Sequence, residues 1–240
     1  TIQMQVQNSG IQATTQKGSA AVCKHRTTKN VTKTTPASFN GDGCVQTSAV
    51  CGACGYTKVT SAAKIAKVSA PKLAKTVYTY NGKVQKPSVT VKDSKGKALK
   101  NGTDYTVTYP KGMKNVGKYT VKVTLKGNYS GSKSMTYNIN PKGTSVSKVK
   151  AAKKGFKVTW KKQATQTTGY QAQYSTSSKF KKAKTVTISK NKTTSKSVSK
   201  LSAKKKYYVR VRTYKTVKVN GKNVKLYSGW SKAKSVTTKK

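Results

Sequence analysis

Acidic side chains are almost missing from this chain of 240 residues, which has three aspartates, no glutamate and 51 lysines and arginines. The formal net charge is therefore 51 − 3 = +48 when the single histidine is counted as neutral. The three carboxylates belong to Asp42, Asp93 and Asp104. General acid–base catalysis usually needs a pair of carboxylates or a histidine that is free to exchange protons. We therefore expect a protein that is not an enzyme.

Features that mark other common protein classes are missing as well. The sequence contains neither the glycine-rich phosphate loop of nucleotide hydrolases nor the glycine pattern of dinucleotide-binding domains. It has no run of about 18 apolar residues, so we expect no transmembrane helix. The sequence begins at Thr1 without a signal-peptide pattern, and we expect a mature or excised segment.

All four cysteines and the single histidine lie between residues 23 and 54. Cys23 and His25 form a C-x-H pair, while Cys51 and Cys54 form a C-x-x-C turn that is followed by glycine. Together these side chains make the Cys₃His set that holds structural zinc in small modules. No ligand position is left open for a substrate, so we expect a structural ion. The spacing predicts a Cys/His module over residues 21–62.

Disulfides are the alternative to zinc, because the cysteine count is even and secreted proteins are commonly oxidised. The bonds would join Cys51 to Cys54 and Cys23 to Cys44, whereas Cys44 is spare in the zinc arrangement. In either case the crosslink staples a segment that is too small to bury a core of its own.

Residues 1–20 are predicted to form a strand followed by a polar linker. Ile2, Met4 and Val6 alternate with glutamines, which is the pattern of an amphipathic strand. No partner strand lies nearby in the sequence. We expect this strand to pair with another part of the molecule or with a preceding domain, or, in a filament, with the next subunit by β-augmentation.

Residues 68–141 contain short runs of β-branched and aromatic residues between Gly, Asn and Pro turns. These runs predict about six short strands of a β-sandwich, with a hairpin turn at Asn81-Gly82. The stretch NVGKYTV…GNYSG resembles the small bacterial Ig-like repeats of secreted and wall-associated Gram-positive proteins. The resemblance implies an Ig-like sandwich whose glycines and tyrosines have structural roles.

Residues 142–240 show a second set of strand patterns, including a hairpin that turns at Asn220-Gly221. Leu201 stands six residues before Tyr207, which resembles the tyrosine corner of the fibronectin type III family. This resemblance implies that Trp160 is the buried tryptophan of that family and that Trp230 opens the last strand. The expected fold class is all-β, with two tandem β-sandwiches, Ig-like and fibronectin type III-like, after the Cys/His-stapled module and the N-terminal strand.

Lysine-rich tracts are the candidate contacts for an anionic partner. The residues that we select are Lys179, Lys181, Lys182, Lys184, Lys204, Lys205, Lys206, Arg210 and Arg212. A single tract of this kind is usually a solvated surface, but here the lack of glutamate leaves the lysines of every domain without salt-bridge partners. Lysine is a hydrated point charge, so we expect diffuse contact with anionic polymers and no base-specific readout of nucleic acid.

The sequence therefore predicts an extracellular structural and adhesion protein at the cell wall or cell surface of a Gram-positive bacterium. Teichoic acids and acidic glycans are the expected partners, and nucleic acid would bind only without specificity. Two alternatives stay open at this point. One is a subunit of a self-assembling filament that uses the N-terminal strand, and the other is a nucleic-acid-binding or cationic antimicrobial protein.

Overall fold

The computed structural model describes residues 23–240, and every regular element among them is a β-strand. The predicted all-β class is thereby confirmed, whereas the predicted strand at Ile2–Val6 lies outside the described residues. Within 23–240 no helix has the length and apolar character needed to cross a membrane. The described residues divide into two compact units, 23–34 with 45–63 and 35–44 with 64–240, which are described separately.

A three-stranded sheet in the order β1-β2-β3 forms the framework of the first unit. Its strands are β1 (Thr28–Thr35), β2 (Gly43–Cys51) and β3 (Thr57–Ile65). Threonine side chains link them, because the hydroxyls of Thr32 and Thr47 lie 3.1 Å apart and the Thr60 hydroxyl donates to the Thr47 carbonyl at 3.1 Å. Both outer strands are exposed along almost their whole length. The sheet therefore buries little apolar surface of its own.

Residues 68–141 form a small sandwich. Its strands are β4 (Lys72–Leu73), β5 (Val77–Thr79), β6 (Val89–Thr90), β7 (Tyr105–Thr108), β8 (Gly117–Leu125) and β9 (Ser132–Asn140). Four of them make a sheet in the order β5-β9-β8-β7, and β4 pairs with β6. Val121 and Ile139 of the larger sheet are fully buried and pack with Leu73 and Val89 of the smaller pair.

The hairpin predicted at Asn81-Gly82 is wrong, although a turn is present there. Strand β5 pairs in parallel with β9, and β6 pairs with β4 instead of returning along β5. Gly82 has a φ of +76°, and the Asn81 side-chain carbonyl accepts the N–H of Lys83 at 2.9 Å. The Asn-Gly pair sets this local turn. Strand pairing instead follows burial, since the ring of Tyr78 packs against that of Tyr137 with centroids 5.7 Å apart.

The remaining residues form a second sandwich. Its strands are β10 (Val146–Ala152), β11 (Gly155–Trp160), β12 (Gly169–Ser175), β13 (Lys184–Ile188), β14 (Ser195–Val198), β15 (Lys206–Val219), β16 (Lys222–Tyr227) and β17 (Lys234–Thr237). One sheet has the order β10-β11-β14, and the other has the order β13-β12-β15-β16 with β17 also paired to β15. The predicted hairpin at Asn220-Gly221 is confirmed, since Val217 lies opposite Val224.

The core of this second sandwich lies between its two sheets. Alternate residues of β11 point inward, so that Phe156, Val158 and Trp160 are buried together with Tyr170 of β12. The Tyr170 hydroxyl donates to the carbonyl of Asn191 at 2.8 Å, which satisfies its polar end. The indole N–H of Trp160 has no hydrogen-bond partner among residues 23–240.

Candidate functional site

The four predicted metal ligands converge at one end of the β1-β2-β3 sheet. Cys23 and His25 precede β1, Cys51 is the last residue of β2, and Cys54 lies in the turn between β2 and β3. Their ligand atoms all lie within 4.8 Å of one another. The turn is closed by the N–H of Gly55, which donates to the Cys51 carbonyl at 2.8 Å. Residues separated by almost thirty positions thus meet in one cluster.

The distances within this cluster fit a tetrahedral zinc site. The sulfurs of Cys23 and Cys51 are 3.5 Å apart, and Nδ1 of His25 lies 3.3 Å from the sulfur of Cys54. Zn–S bonds of about 2.3 Å in a tetrahedron place two sulfurs about 3.8 Å apart. The His25 ring also stacks on Tyr56, with ring centroids 4.3 Å apart. This contact holds the imidazole towards the three thiols.

Hydrogen bonds from neighbouring groups favour the thiolate form of Cys51. The hydrogen bond from His25 and the backbone N–H groups of Cys54 and Ala53 lower the pKa of Cys51 to about 6. The Tyr56 N–H favours the Cys54 thiolate, but Cys23, burial and Cys51 together raise the pKa of that thiol. Cys51 is thus prepared as a metal ligand at neutral pH, while Cys54 must lose its proton when metal binds.

Neither of the alternative disulfides is formed, because all four cysteines are free. Cys44 lies at the opposite end of β2 from Cys51 and is not part of the cluster. The donor set that remains after Cys44 is set aside matches structural zinc in type and number.

The pKa of Cys51 determines how zinc affinity should depend on pH. Above about pH 6 the Cys51 sulfur is already a thiolate, whereas below that value a proton competes with zinc for it. We expect the slope of log affinity against pH to increase by about one below pH 6. Titration against a competing chelator measures this slope. A slope that stays constant through this range would contradict the role of Cys51.

All three carboxylates of the chain are already engaged by the protein. The Asp42 carboxylate pairs with Lys64 at 2.7 Å and accepts the N–H of Lys67 at 2.8 Å. These two contacts, led by the one from Lys64, hold the pKa of Asp42 below its usual value. The Asp42–Lys64 contact is the only ion pair within residues 23–240.

The other two carboxylates bind backbone amides in turns. Asp93 is buried and accepts the N–H groups of Lys95 and Lys97, both at 2.9 Å. Asp104 accepts the N–H of Lys100 at 2.8 Å. Neither aspartate therefore neutralises a lysine side chain, and nearly all of the positive charge has no internal counter-charge.

The lysines selected from the sequence are exposed. Those of residues 179–184 lie in the turn before β13 and at its first residue, and those of residues 204–206 lie where β15 begins. The two selected arginines differ, because both are half-buried on β15.

The structural residues selected from the sequence lie in and around the core of the second sandwich. Trp160 is 2 % exposed, and Leu201 packs at the edge of the same cluster. The hydroxyl of Tyr207 accepts the N–H of Ser202 at 3.4 Å, which is the bond back to the chain that a tyrosine corner makes. Trp230 does not open the last strand as expected, since it lies between β16 and β17.

Residues 140–226 match the family model described as fibronectin type III domain. They form a fibronectin type III domain. Such domains are typical of extracellular structural and adhesion proteins and are usually not catalytic. The domain therefore indicates a role of that kind.

Solved structures with similar chains include the FN1-FN3 domains of chicken CNTN1, at 14% identity over 82% of this chain and 78% of that chain, with a TM-score of 0.35. They also include domains A168-A170 from titin, at 16% identity over 82% of this chain and 75% of that chain, with a TM-score of 0.30. No curated protein matches the sequence.

Two arginines of the fibronectin type III domain are sandwiched between aromatic rings. The Cζ atom of Arg210 lies 3.9 Å from the ring centroid of Phe180 and 4.7 Å from that of Trp230. The Cζ atom of Arg212 lies 4.3 Å from the Trp230 centroid and 3.9 Å from that of Tyr227. We call Phe180, Arg210, Trp230, Arg212 and Tyr227, in this spatial order, the arginine stack. Cation–π contacts of this kind stabilise each guanidinium on both faces.

Sequence reasoning selected both arginines but missed the stack. Both arginines are half-buried, and this burial lowers the pKa of each. The available signal was composition, since two of the three arginines in the chain stand two residues apart in Arg210-Val211-Arg212. In a chain that otherwise uses lysine, a planar guanidinium is needed where stacking matters.

Proposed function

We propose that this chain is a non-enzymatic extracellular structural and adhesion segment that binds anionic cell-wall polymers through many lysine contacts. Teichoic acids and acidic glycans at a Gram-positive cell wall or cell surface are the partners that this chemistry fits. The observation that carries the proposal is the single ion pair, Asp42–Lys64, within residues 23–240 of a chain with a net charge of +48. A surface without internal counter-charges attracts polyanions over long range and releases their counterions on contact.

The mechanism is multivalent. Each exposed lysine contributes a weak, solvent-screened contact, and the β-sheets of each unit hold many of these contacts in place at once. Loss of one lysine should therefore change the affinity little, whereas added salt should weaken all contacts together. The Cys₃His cluster supports this function as a proposed structural zinc site, which fixes the shape of the first unit without taking part in binding.

Retention on purified Gram-positive cell walls tests the proposed function. We expect retention to fall steeply from low to high salt, because each phosphate or carboxylate contact releases counterions. Walls from which teichoic acid has been stripped should retain much less protein. Duplex DNA at matched charge, run in parallel, should be retained less well than the intact wall. Retention that is weak in low salt, or equal on stripped walls, would contradict the proposal.

A further inference from the structure

The arginine stack holds two positive charges that no carboxylate neutralises. Arg210 donates its Nε–H to the side-chain carbonyl of Gln173 at 2.8 Å. Arg212 donates through Nε and Nη2 to the side-chain carbonyl of Gln171 at 2.9 and 2.7 Å. Both partners are neutral amides. Each arginine is therefore oriented by a hydrogen bond while it keeps its full charge.

The glutamines that orient the arginines are themselves fixed. The side-chain N–H₂ of Gln171 donates to the Thr187 hydroxyl at 3.3 Å, and that of Gln173 donates to the Thr185 hydroxyl at 3.1 Å. Because the amide nitrogen of each glutamine points to β13, its carbonyl oxygen must face β15. Hydrogen bonds from threonine on β13 through glutamine on β12 to arginine on β15 thus fix the Nε edge of each guanidinium against a glutamine.

The opposite end of each guanidinium remains available. Within residues 23–240 the Nη groups of Arg210 make no hydrogen bond, and Nη1 of Arg212 makes none. A guanidinium has five N–H donors, so the end that carries both Nη groups can make a two-point contact with a carboxylate or a phosphate. The rings on both faces prevent the guanidinium from turning away. Such a group loses little rotational freedom when an anion binds.

We propose that the arginine stack is a preformed site for oxyanions that offer two oxygens to one guanidinium, such as carboxylate and phosphate groups. The stack would hold two successive anionic groups of an acidic glycopolymer. Arg210 and Arg212 are two residues apart on one strand, which places their Cα atoms about 6.8 Å apart. The exposed lysines of residues 179–184 adjoin the site, since Phe180 belongs to the same turn. This inference rests on the proposed function and adds a specific site to the diffuse lysine surface.

The test uses the double variant Q171E/Q173E in the full chain. Each glutamate keeps the bond to its arginine and accepts one from the threonine hydroxyl, but it neutralises the guanidinium. The matched control is K148Q/K150Q, which removes the same two units of charge from exposed positions of β10. Binding to poly(glycerol phosphate) and to polygalacturonate is measured at several salt concentrations. We expect Q171E/Q173E to weaken binding about ten-fold relative to the control, because both charge-assisted contacts are weakened when the guanidinium is neutralised.

The two polymers distinguish the source of the anion. A loss confined to poly(glycerol phosphate) assigns the site to phosphodiesters, a loss confined to polygalacturonate assigns it to carboxylates, and a loss for both assigns their shared chemistry. Equal affinities of Q171E/Q173E and K148Q/K150Q would overturn the site but leave the proposed function intact. If the unchanged chain binds neither polymer at low salt, the proposed function fails.

A second variant, R210K/R212K, keeps the charge. It removes the pair of Nη groups that makes the two-point contact, and it removes the planar group that stacks between the rings. We expect its affinity to fall about ten-fold while the dependence of log affinity on log salt stays the same, because the number of charges is unchanged. Thermal unfolding of both variants verifies that they are folded. Wild-type affinity of a folded R210K/R212K would overturn the site.

Discussion

Removal of metal from the proposed zinc site is expected to unfold residues 23–34 and 45–63 while the two sandwiches stay folded. The outer strands of this unit are exposed along almost their whole length, so little apolar burial holds it together. Binding of structural zinc by a small Cys/His module contributes about 10–16 kcal/mol at neutral pH. We expect one zinc per chain by elemental analysis. Hydrogen exchange should show that β1 to β3 lose protection in a strong chelator.

Two cysteine variants make this result specific. The variant Cys51→Ser should lose the metal and the protection of β1 to β3, because Cys51 is the buried cysteine of the cluster. The variant Cys44→Ser should keep both, because Cys44 lies outside the cluster. A metal-free chain with fully protected β1 to β3 would contradict the assignment of zinc as the staple.

The variant Trp160→Ala is expected to lower the free energy of unfolding of the fibronectin type III domain by about 3–5 kcal/mol, the usual cost of a large cavity in a packed core. Trp160 is among the largest fully buried side chains, and its ring lies 5.3 Å from that of Tyr170. Urea unfolding of the full chain measures the effect. The signal comes from Trp230, which is the only other tryptophan of the chain.

The matched control is Trp160→Phe, which also leaves Trp230 as the only tryptophan. It removes less volume, and it removes an indole N–H that has no partner within residues 23–240. We expect a loss of roughly 1–2 kcal/mol, since the cavity is partly offset by removal of the unsatisfied donor. Equal losses for both variants would mean that the volume of Trp160 does not support the core.

The sequence predicted strand positions better than strand pairing, and the reason is physical. Apolar alternation in β7, β8 and β9 reports which face of a strand is buried, so it is visible locally. Strands β10 and β14 were not predicted, because VSKVKAA and SKSV show no regular apolar alternation and few of their residues reach the core. Pairing depends on distant residues, which is why the Asn81-Gly82 turn did not reveal that β5 would lie against β9.

The two candidate sites show the same difference between local sequence patterns, which can be predicted, and contacts between distant residues, which cannot. Cysteine spacing indicated the Cys₃His cluster, because the C-x-x-C turn and the C-x-H pair are local patterns that together supply four zinc ligands. The sheet that carries the cluster had no apolar periodicity from which it could be predicted. The arginine stack could not be predicted either, since Phe180 and Trp230 are fifty positions apart and meet only across β15.

The engagement of every carboxylate has a consequence for divalent cations. Calcium sites need six to eight oxygen ligands, most often supplied by several carboxylates. Here Asp42, Asp93 and Asp104 each serve a separate turn or ion pair, and the chain has no glutamate to add. This chain therefore has no cluster of carboxylates that calcium could bind and make rigid. In the proposed adhesive layer, calcium would act on the anionic polymer instead, where it would compete with lysine for the same anions.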